Sequence, residues 1–260
     1  MTLSKLYNKE IFDNLGYHAA WLPNTVLKLG DIGYIKNNQF EYVFSLGDLN
    51  ISYEATTETA SADYEYTSKS GVSITSKLAG NVPSVGSFLT ESEAGVSLEF
   101  QAPNAIVFQA GDCEILTIKN KNKLAADIIP FLENDQWSSD YVVITTLVKS
   151  KSATVLVSNE SGGKVELAAQ AGTTSSIQKA ATLKTSNQLK FASKVGIQII
   201  AASDLTPLYK VSGFKKGFFS RKPIFRNRGE STQAFDLSTP VSNNDNFVEL
   251  NPEELEEMQR

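Results

Sequence analysis

The chain has 260 residues, of which 41% are hydrophobic and 20% are charged, so it can bury a core as one large domain or two small ones. Its 24 Lys and Arg residues are outnumbered by 29 Asp and Glu residues, and the net charge of −5 argues against a general nucleic-acid-binding protein. A single cysteine excludes an internal disulfide, and the sequence shows neither a signal-peptide pattern nor an apolar run as long as a membrane-spanning helix. We therefore expect a soluble, cytoplasmic chain.

Residues 1–51 predict one helix followed by strands. A helix is expected over residues 3–15 and should end at Gly16. Its apolar residues fall roughly on one face, which consists of Leu3, Leu6, Phe12 and Leu15. Residues 17–51 have the composition of strands, with Gly and Pro residues between them.

Two regions, about 60–110 and 150–200, alternate apolar and polar residues with the period of two that half-buried strands show. In the first region, the apolar positions of one strand are Val96, Leu98 and Phe100, and those of the next are Ile106, Phe108 and Ala110. In the second region, residues 152–158 and 163–169 flank a turn and predict a hairpin. The cleanest alternation, read as one strand face, consists of Leu189, Phe191, Val195, Ile197 and Ile199.

Residues 119–148 separate these two regions. Residues 119–135 predict a short helix that Pro130 breaks, because proline lacks the N–H group that the helix needs. Residues 141–148 have the apolar, β-branched composition of a buried strand.

Residues 205–228 are both basic and aromatic, with seven Lys or Arg residues and no acidic residue. Such a block can bind lipid headgroups, can bind nucleic acid, or can be a pair of strands whose charges face water. The candidate headgroup ligands are Lys215, Lys216, Arg221 and Lys222.

The C-terminal residues 249–260 carry five Glu residues and one Arg. Asn251 can cap a short helix whose first position is Pro252. A helix of this length is not stable alone, so the segment either docks on the body or is disordered. The residues that could make an apolar contact are Leu250, Leu255 and Met258.

Residues that carry enzymatic chemistry are scarce. His18 is the only histidine, and with Cys113 it makes too small a set for a zinc site. Cys113 lies within a strand pattern, which favours a buried thiol. The acid pairs Asp63/Glu65 and Glu91/Glu93 are best explained as a solvated strand face. We therefore expect a protein that is not an enzyme and needs no metal or cofactor.

The alternating strands suit either of two environments. In a soluble sheet, one face packs on the core and the other meets water, and this is the commoner structure. Membrane-spanning β-strands need the same two-faced pattern. One set of strands could therefore serve a soluble state and a membrane state in turn.

Four segments, in their order along the chain, resemble parts of the bacterial gasdermins: residues 15–35, 94–109, 140–169 and 191–210. The resemblance extends from about Leu15 to Lys210. It implies an α+β fold with a central twisted antiparallel β-sheet, peripheral short helices and a short C-terminal inhibitory helix or peptide. It also implies a pore-forming cell-death effector of antiphage defence, which a caspase-like or trypsin-like partner protease activates.

On this sequence, the resemblance implies a pore-forming domain over residues 1–246 and an autoinhibitory peptide over residues 247–260. The cut would fall within 229–250, and its candidate residues are Asp245, Asn246, Phe247 and Leu250. Freed from the peptide, the monomeric cytoplasmic protein would form a large homo-oligomer and insert the 60–110 and 150–200 regions into inner-membrane lipids. The N-terminal segment has no cysteine of the kind that members of the family may have lipid-modified. The alternative is a β-sheet binding module that uses residues 205–228 to bind a protein or nucleic acid.

Overall fold

The computed structural model describes residues 2–21, 26–60, 63–68, 71–76, 96–167, 189–200, 205–215 and 247–258. These residues form an α+β fold with a large antiparallel β-sheet, a smaller antiparallel sheet and short helices. The described helices are α1 (Leu3–Leu15), α2 (Lys121–Glu133) and α3 (Pro252–Met258).

The described strands pair antiparallel throughout. They are β1 (His18–Ala19), β2 (Asp31–Lys36), β3 (Gln39–Ser45), β4 (Ala55–Thr59), β5 (Tyr64–Thr67), β6 (Val72–Ser76), β7 (Val96–Phe100), β8 (Ile106–Ile118), β9 (Val142–Ser158), β10 (Gly163–Leu167), β11 (Leu189–Ser193), β12 (Val195–Ile200), β13 (Leu205–Phe214) and β14 (Phe247–Glu249).

The large sheet is built around β9, which is 17 residues long. One path through this sheet runs β1-β13-β9-β2-β3. Strand β8 also pairs with β9 and carries β4 and β5 on its other edge, while β12 pairs with β9 and β14 pairs with β13. The small sheet has the order β11-β10-β7-β6.

Both faces of β8 are buried over residues 106–111, because different layers cover them. Ile106 and Phe108 pack in a core cluster with residues of α1. Val107, which points to the other face, packs with Leu98 and Phe100 of the small sheet. The small sheet therefore lays its apolar face on the long strands of the large sheet, opposite α1.

The predicted helix over residues 3–15 is confirmed, and Gly16 ends it in the left-handed conformation with φ 73°. The helix buries Ser4, Tyr7, Asn8 and Ile11, while Leu3 and Leu15 of its apolar face are partly buried against the same core cluster. Asn8 accepts a hydrogen bond from the Ala19 N–H at 2.9 Å, which ties the helix to β1.

The predicted break at Pro130 is wrong, because α2 continues to Glu133. Pro130 lies in the last turn, where its missing N–H removes only one helical hydrogen bond. Ile128 and Leu132 are buried in the core, and this burial holds the last turn in place. Asn134, just beyond the helix, donates from its N–H to the Pro130 carbonyl at 3.2 Å.

The structure also corrects the strands predicted over residues 150–200. Residues 152–158 belong to β9 and pair with β8 and β12, whereas β10 pairs with β7 and β11, so the predicted hairpin does not form. The strand read over residues 189–199 divides at Lys194, whose φ is 56°. This left-handed residue turns the chain from the small sheet into the large one.

Candidate functional site

The C-terminal segment, residues 247–258, is a short strand followed by a short helix. Asn251 and Glu254 form a capping box: the Glu254 N–H donates to Asn251 Oδ1 at 2.9 Å, and the Asn251 N–H donates to Glu254 Oε2 at 3.0 Å. Pro252 occupies the first helical position. The predicted helix, with its cap at Asn251, is confirmed.

This segment covers the edge of β13. Strand β14 pairs with β13 from Ser212 to Phe214, and the Leu250 N–H donates to the Val211 carbonyl at 3.0 Å. The preceding part of the same edge is covered by β1. The segment therefore satisfies backbone groups that would otherwise form an open sheet edge.

Apolar side chains hold the segment on the body. Phe247, Leu250 and Leu255 are buried, and the Phe247 ring lies 5.0 Å from the Phe214 ring. Met258 is partly buried against the cluster that contains Leu250 and Leu255. All three predicted tail contacts, Leu250, Leu255 and Met258, thus lie between the segment and the body.

Ion pairs add to this contact. Lys210 Nζ lies 2.8 Å from Glu249, Lys121 Nζ lies 3.4 Å from the same carboxylate, and Lys215 Nζ lies 3.7 Å from Glu254. Burial alone would raise the pKa of Glu249, but the two lysines outweigh it and the pKa is lowered. Because these pairs are partly exposed, each contributes about 0–1 kcal/mol.

His18 links the segment to the N-terminal part of the chain. Its Nε2 donates to the Leu250 carbonyl at 2.8 Å, and its ring lies between those of Phe12 and Tyr209, with centroids 5.0 and 5.6 Å away. Burial lowers the pKa of His18 to about 4. The side chain is therefore neutral at pH 7 and acts as a packed hydrogen-bond donor.

The predicted membrane-facing positions lie in the small sheet and in β12. Leu98, Phe100 and Val165 are buried against the large sheet, whereas Glu99 and Lys164 are exposed on the other face. Val195, at the start of β12, is partly buried against the same cluster. The described residues give backbone positions alone for Val96, Leu189, Phe191, Ile197 and Ile199.

The small sheet joins the two predicted hairpin regions. Its pairing places Ser76, Val96, Leu167 and Leu189 side by side in one row across the four strands. The chain leaves this row at Ser76 and Leu167 and returns to it at Val96 and Leu189. Both connections, residues 77–95 and 168–188, thus start from the same end of one sheet.

The predicted basic block and cleavage region are described only in part. Residues 205–214 form β13 and are buried except for the partly buried Lys210, and Lys215 is exposed. Phe247 lies in β14 and Leu250 directly follows it. Five candidates lie outside the described residues: Lys216, Arg221, Lys222, Asp245 and Asn246.

Groups able to do acid–base or metal chemistry are dispersed among the described residues. Cys113 is buried, and burial raises the pKa of its thiol to about 11. Glu65 accepts a hydrogen bond from Gln109 Nε2 at 2.7 Å. Within the described residues, no three His, Cys, Asp or Glu side chains could hold a metal ion, and no helix has the length and apolarity to cross a membrane. The pair Glu91/Glu93 lies outside them.

Sequence reasoning missed two parts of this contact. Asn251 and Glu254 have the spacing of a capping box, so that signal was readable. No local pattern indicates that His18 meets the Leu250 carbonyl, because the two residues are 232 positions apart.

The chain matches no protein-family model, and no curated protein sequence is significantly similar to it.

Proposed function

We propose that the protein is an autoinhibited pore-forming protein of the gasdermin type. In this proposal, a caspase-like or trypsin-like protease removes the C-terminal segment, and the remaining body oligomerises and inserts strands into the inner membrane. The resulting large pores kill the cell as a defence against phage. The intact protein is a cytoplasmic monomer that uses no cofactor and catalyses no reaction.

The observation that carries the proposal is the small sheet. Its strands come from both alternating regions, and it presents an apolar face to the body and a polar face to solvent. Transfer of the sheet to a bilayer exchanges one apolar environment for another at that face. Both connections leave from one row, so the two hairpins would lengthen in the same direction.

The docked C-terminal segment supports the autoinhibition. Burying Leu250 and Leu255 contributes about 1.5–3 kcal/mol each. While the chain is continuous, the segment competes for its site at an effective concentration of about 1 mM or more. Cleavage reduces that concentration to the concentration of free peptide, so the segment dissociates and the edge of β13 opens.

We place the cut before Phe247. A protease needs an extended, accessible substrate, whereas Phe247 is buried in a paired strand and Leu250 is buried beside it. Of the four candidate cleavage residues, this argues against Phe247 and Leu250 and leaves Asp245 and Asn246.

The proposal is tested by dye release from vesicles of bacterial phospholipids. A full-length protein with an inserted protease site before Phe247 should be silent when uncut and should release dye when cut. A matched control with a scrambled site should stay silent under the same protease. If the vesicles stay sealed after complete cleavage, the proposal is refuted. If cleavage instead changes the affinity of the chain for a protein or a nucleic acid, the alternative binding module is favoured.

A further inference from the structure

The covered edge of β13 and the outer edge of β3 have matching directions. Strand β14 runs antiparallel to β13, which runs antiparallel to β9. Strand β3 runs antiparallel to β2, which also runs antiparallel to β9. Both β14 and β3 therefore run parallel to β9. A copy of β3 could replace β14 on β13 without reversing direction.

The two edges also lie at the same level of the sheet. The register forms one continuous row through Val248, Gly213, Val142, Gly33 and Tyr42, in that order. If a second copy continues this sheet without a shift along the strands, its Tyr42 takes the place of Val248 opposite Gly213. The contact is then heterologous, so it can repeat from copy to copy and close into a ring.

Strand β3 presents apolar side chains at its exposed edge. Tyr42 is 57% exposed and Val43 is 38% exposed, and both are among the few exposed large hydrophobic residues that the structure describes. Strand β4, another edge strand, is mostly exposed Thr and Glu, which is a poor surface for pairing. The exposed apolar residues favour β3 as the pairing edge.

The absence of a side chain at Gly213 favours an aromatic residue opposite it. A Cβ atom built on Gly213 would lie 3.0 Å from Leu250 Cδ1, 3.2 Å from Val142 Cγ1 and 3.3 Å from the Tyr141 carbonyl oxygen, so Leu250 shares the space above this glycine with the body. Departure of the segment removes Leu250 from that space and leaves Val142 and Tyr141 in place, and an aromatic residue opposite a strand glycine stabilises such pairs. Tyr42 of a second copy projects into this space in the register described above.

We propose that the outer edge of β3 of a second copy of this chain binds the edge of β13 that β14 vacates, with Tyr42 opposite Gly213. This inference rests on the proposed function, because it requires release of the segment. It assigns a second role to β14, which is to occupy the assembly edge until cleavage.

Mixed disulfides test the pairing directly. The register places Val43 opposite Ser212, within the distance that a disulfide spans. The full chains Val43→Cys and Ser212→Cys, each with a protease site before Phe247, are mixed on phosphatidylglycerol-containing vesicles and then cut in the presence of a thiol oxidant such as copper phenanthroline with dissolved oxygen, which accepts the two electrons of each disulfide. A disulfide between the two variants is expected in the cut mixture. It should be absent from the uncut mixture and from each variant alone, which also control for Cys113.

Because Ser212 is buried and its replacement could impair folding, a second variant tests the pairing without changing Ser212. Val43→Lys should slow dye release about tenfold, because a lysine on an edge strand opposes pairing. Thr57→Lys, on the exposed edge strand β4, is the matched control and should release dye like the parent. Dye release without the mixed disulfide, or at the parental rate in Val43→Lys, overturns the pairing but leaves the proposed function standing. Sealed vesicles after every cut overturn both.

Discussion

His18 should make the stability of the protein fall in mild acid. The imidazole is fully buried, donates from Nε2 to the Leu250 carbonyl at 2.8 Å, and has no hydrogen-bond partner for Nδ1 among the described residues. Protonation would place a charge at Nδ1 in an apolar enclosure between Phe12 and Tyr209. Replacing His18 with Gln keeps an N–H donor for the Leu250 carbonyl but removes the titration.

The size of the effect follows from the two pKa values. Burial lowers the pKa of His18 from 6.5 to about 4, with Lys210 acting in the same direction and the Leu250 carbonyl and Glu249 opposing it. Because the unfolded chain binds this proton more tightly, the stabilisation is complete above pH 6.5 and is lost as the pH falls towards 4. One pH unit is worth about 1.4 kcal/mol, so the parent should lose about 3 kcal/mol over this window.

Urea denaturation of the parent and of His18→Gln between pH 4 and pH 8 measures this loss. Carboxylates such as Glu249 titrate in both proteins, so their contribution cancels in the difference between the two curves. Since His18 is the only histidine, the remaining pH dependence belongs to it. Equal slopes for parent and variant between pH 6.5 and pH 5 would show that folding does not lower the pKa of His18.

Three further predictions concern the C-terminal segment and the buried thiol. Leu255→Ala should lower the free energy of unfolding, measured by urea denaturation, by about 2–5 kcal/mol. The control Glu257→Ala, at an exposed position, should change it by less than about 0.5 kcal/mol. Similar losses in the two variants would contradict the burial of Leu255. Asn251→Ala should lower the stability of the protein by about 1 kcal/mol, because it removes the capping box, whereas Asn251→Ser should lower it much less. Equal losses of stability in thermal denaturation would argue against capping by Asn251. Cys113, with its raised pKa, should react with a thiol reagent at pH 8 roughly a hundredfold more slowly in the native than in the urea-unfolded protein, and equal rates would show an accessible thiol.

Elements with local signals were predictable from the amino-acid sequence. The helix over residues 3–15 and its end at Gly16 followed from periodicity and from a glycine that tolerates positive φ. The cap at Asn251 followed from residues within one turn of each other. Period-two alternation placed strands in the 60–110 and 150–200 regions. For the helix and the cap, the interacting residues are within a few positions of one another, and for the strands the period of two reflects the local backbone geometry.

Strand pairing and the choice of buried faces depend on the folded structure. Alternation looks the same on either side of Lys194, yet β11 and β12 lie in different sheets. The helix at Pro130 continues because its last turn packs on the core. The part of the basic and aromatic block that precedes Lys215 forms the buried strand β13, and the C-terminal segment pairs with the edge of this strand. These outcomes depend on contacts between residues that are far apart in the chain, and a local sequence pattern does not reveal the energies of such contacts.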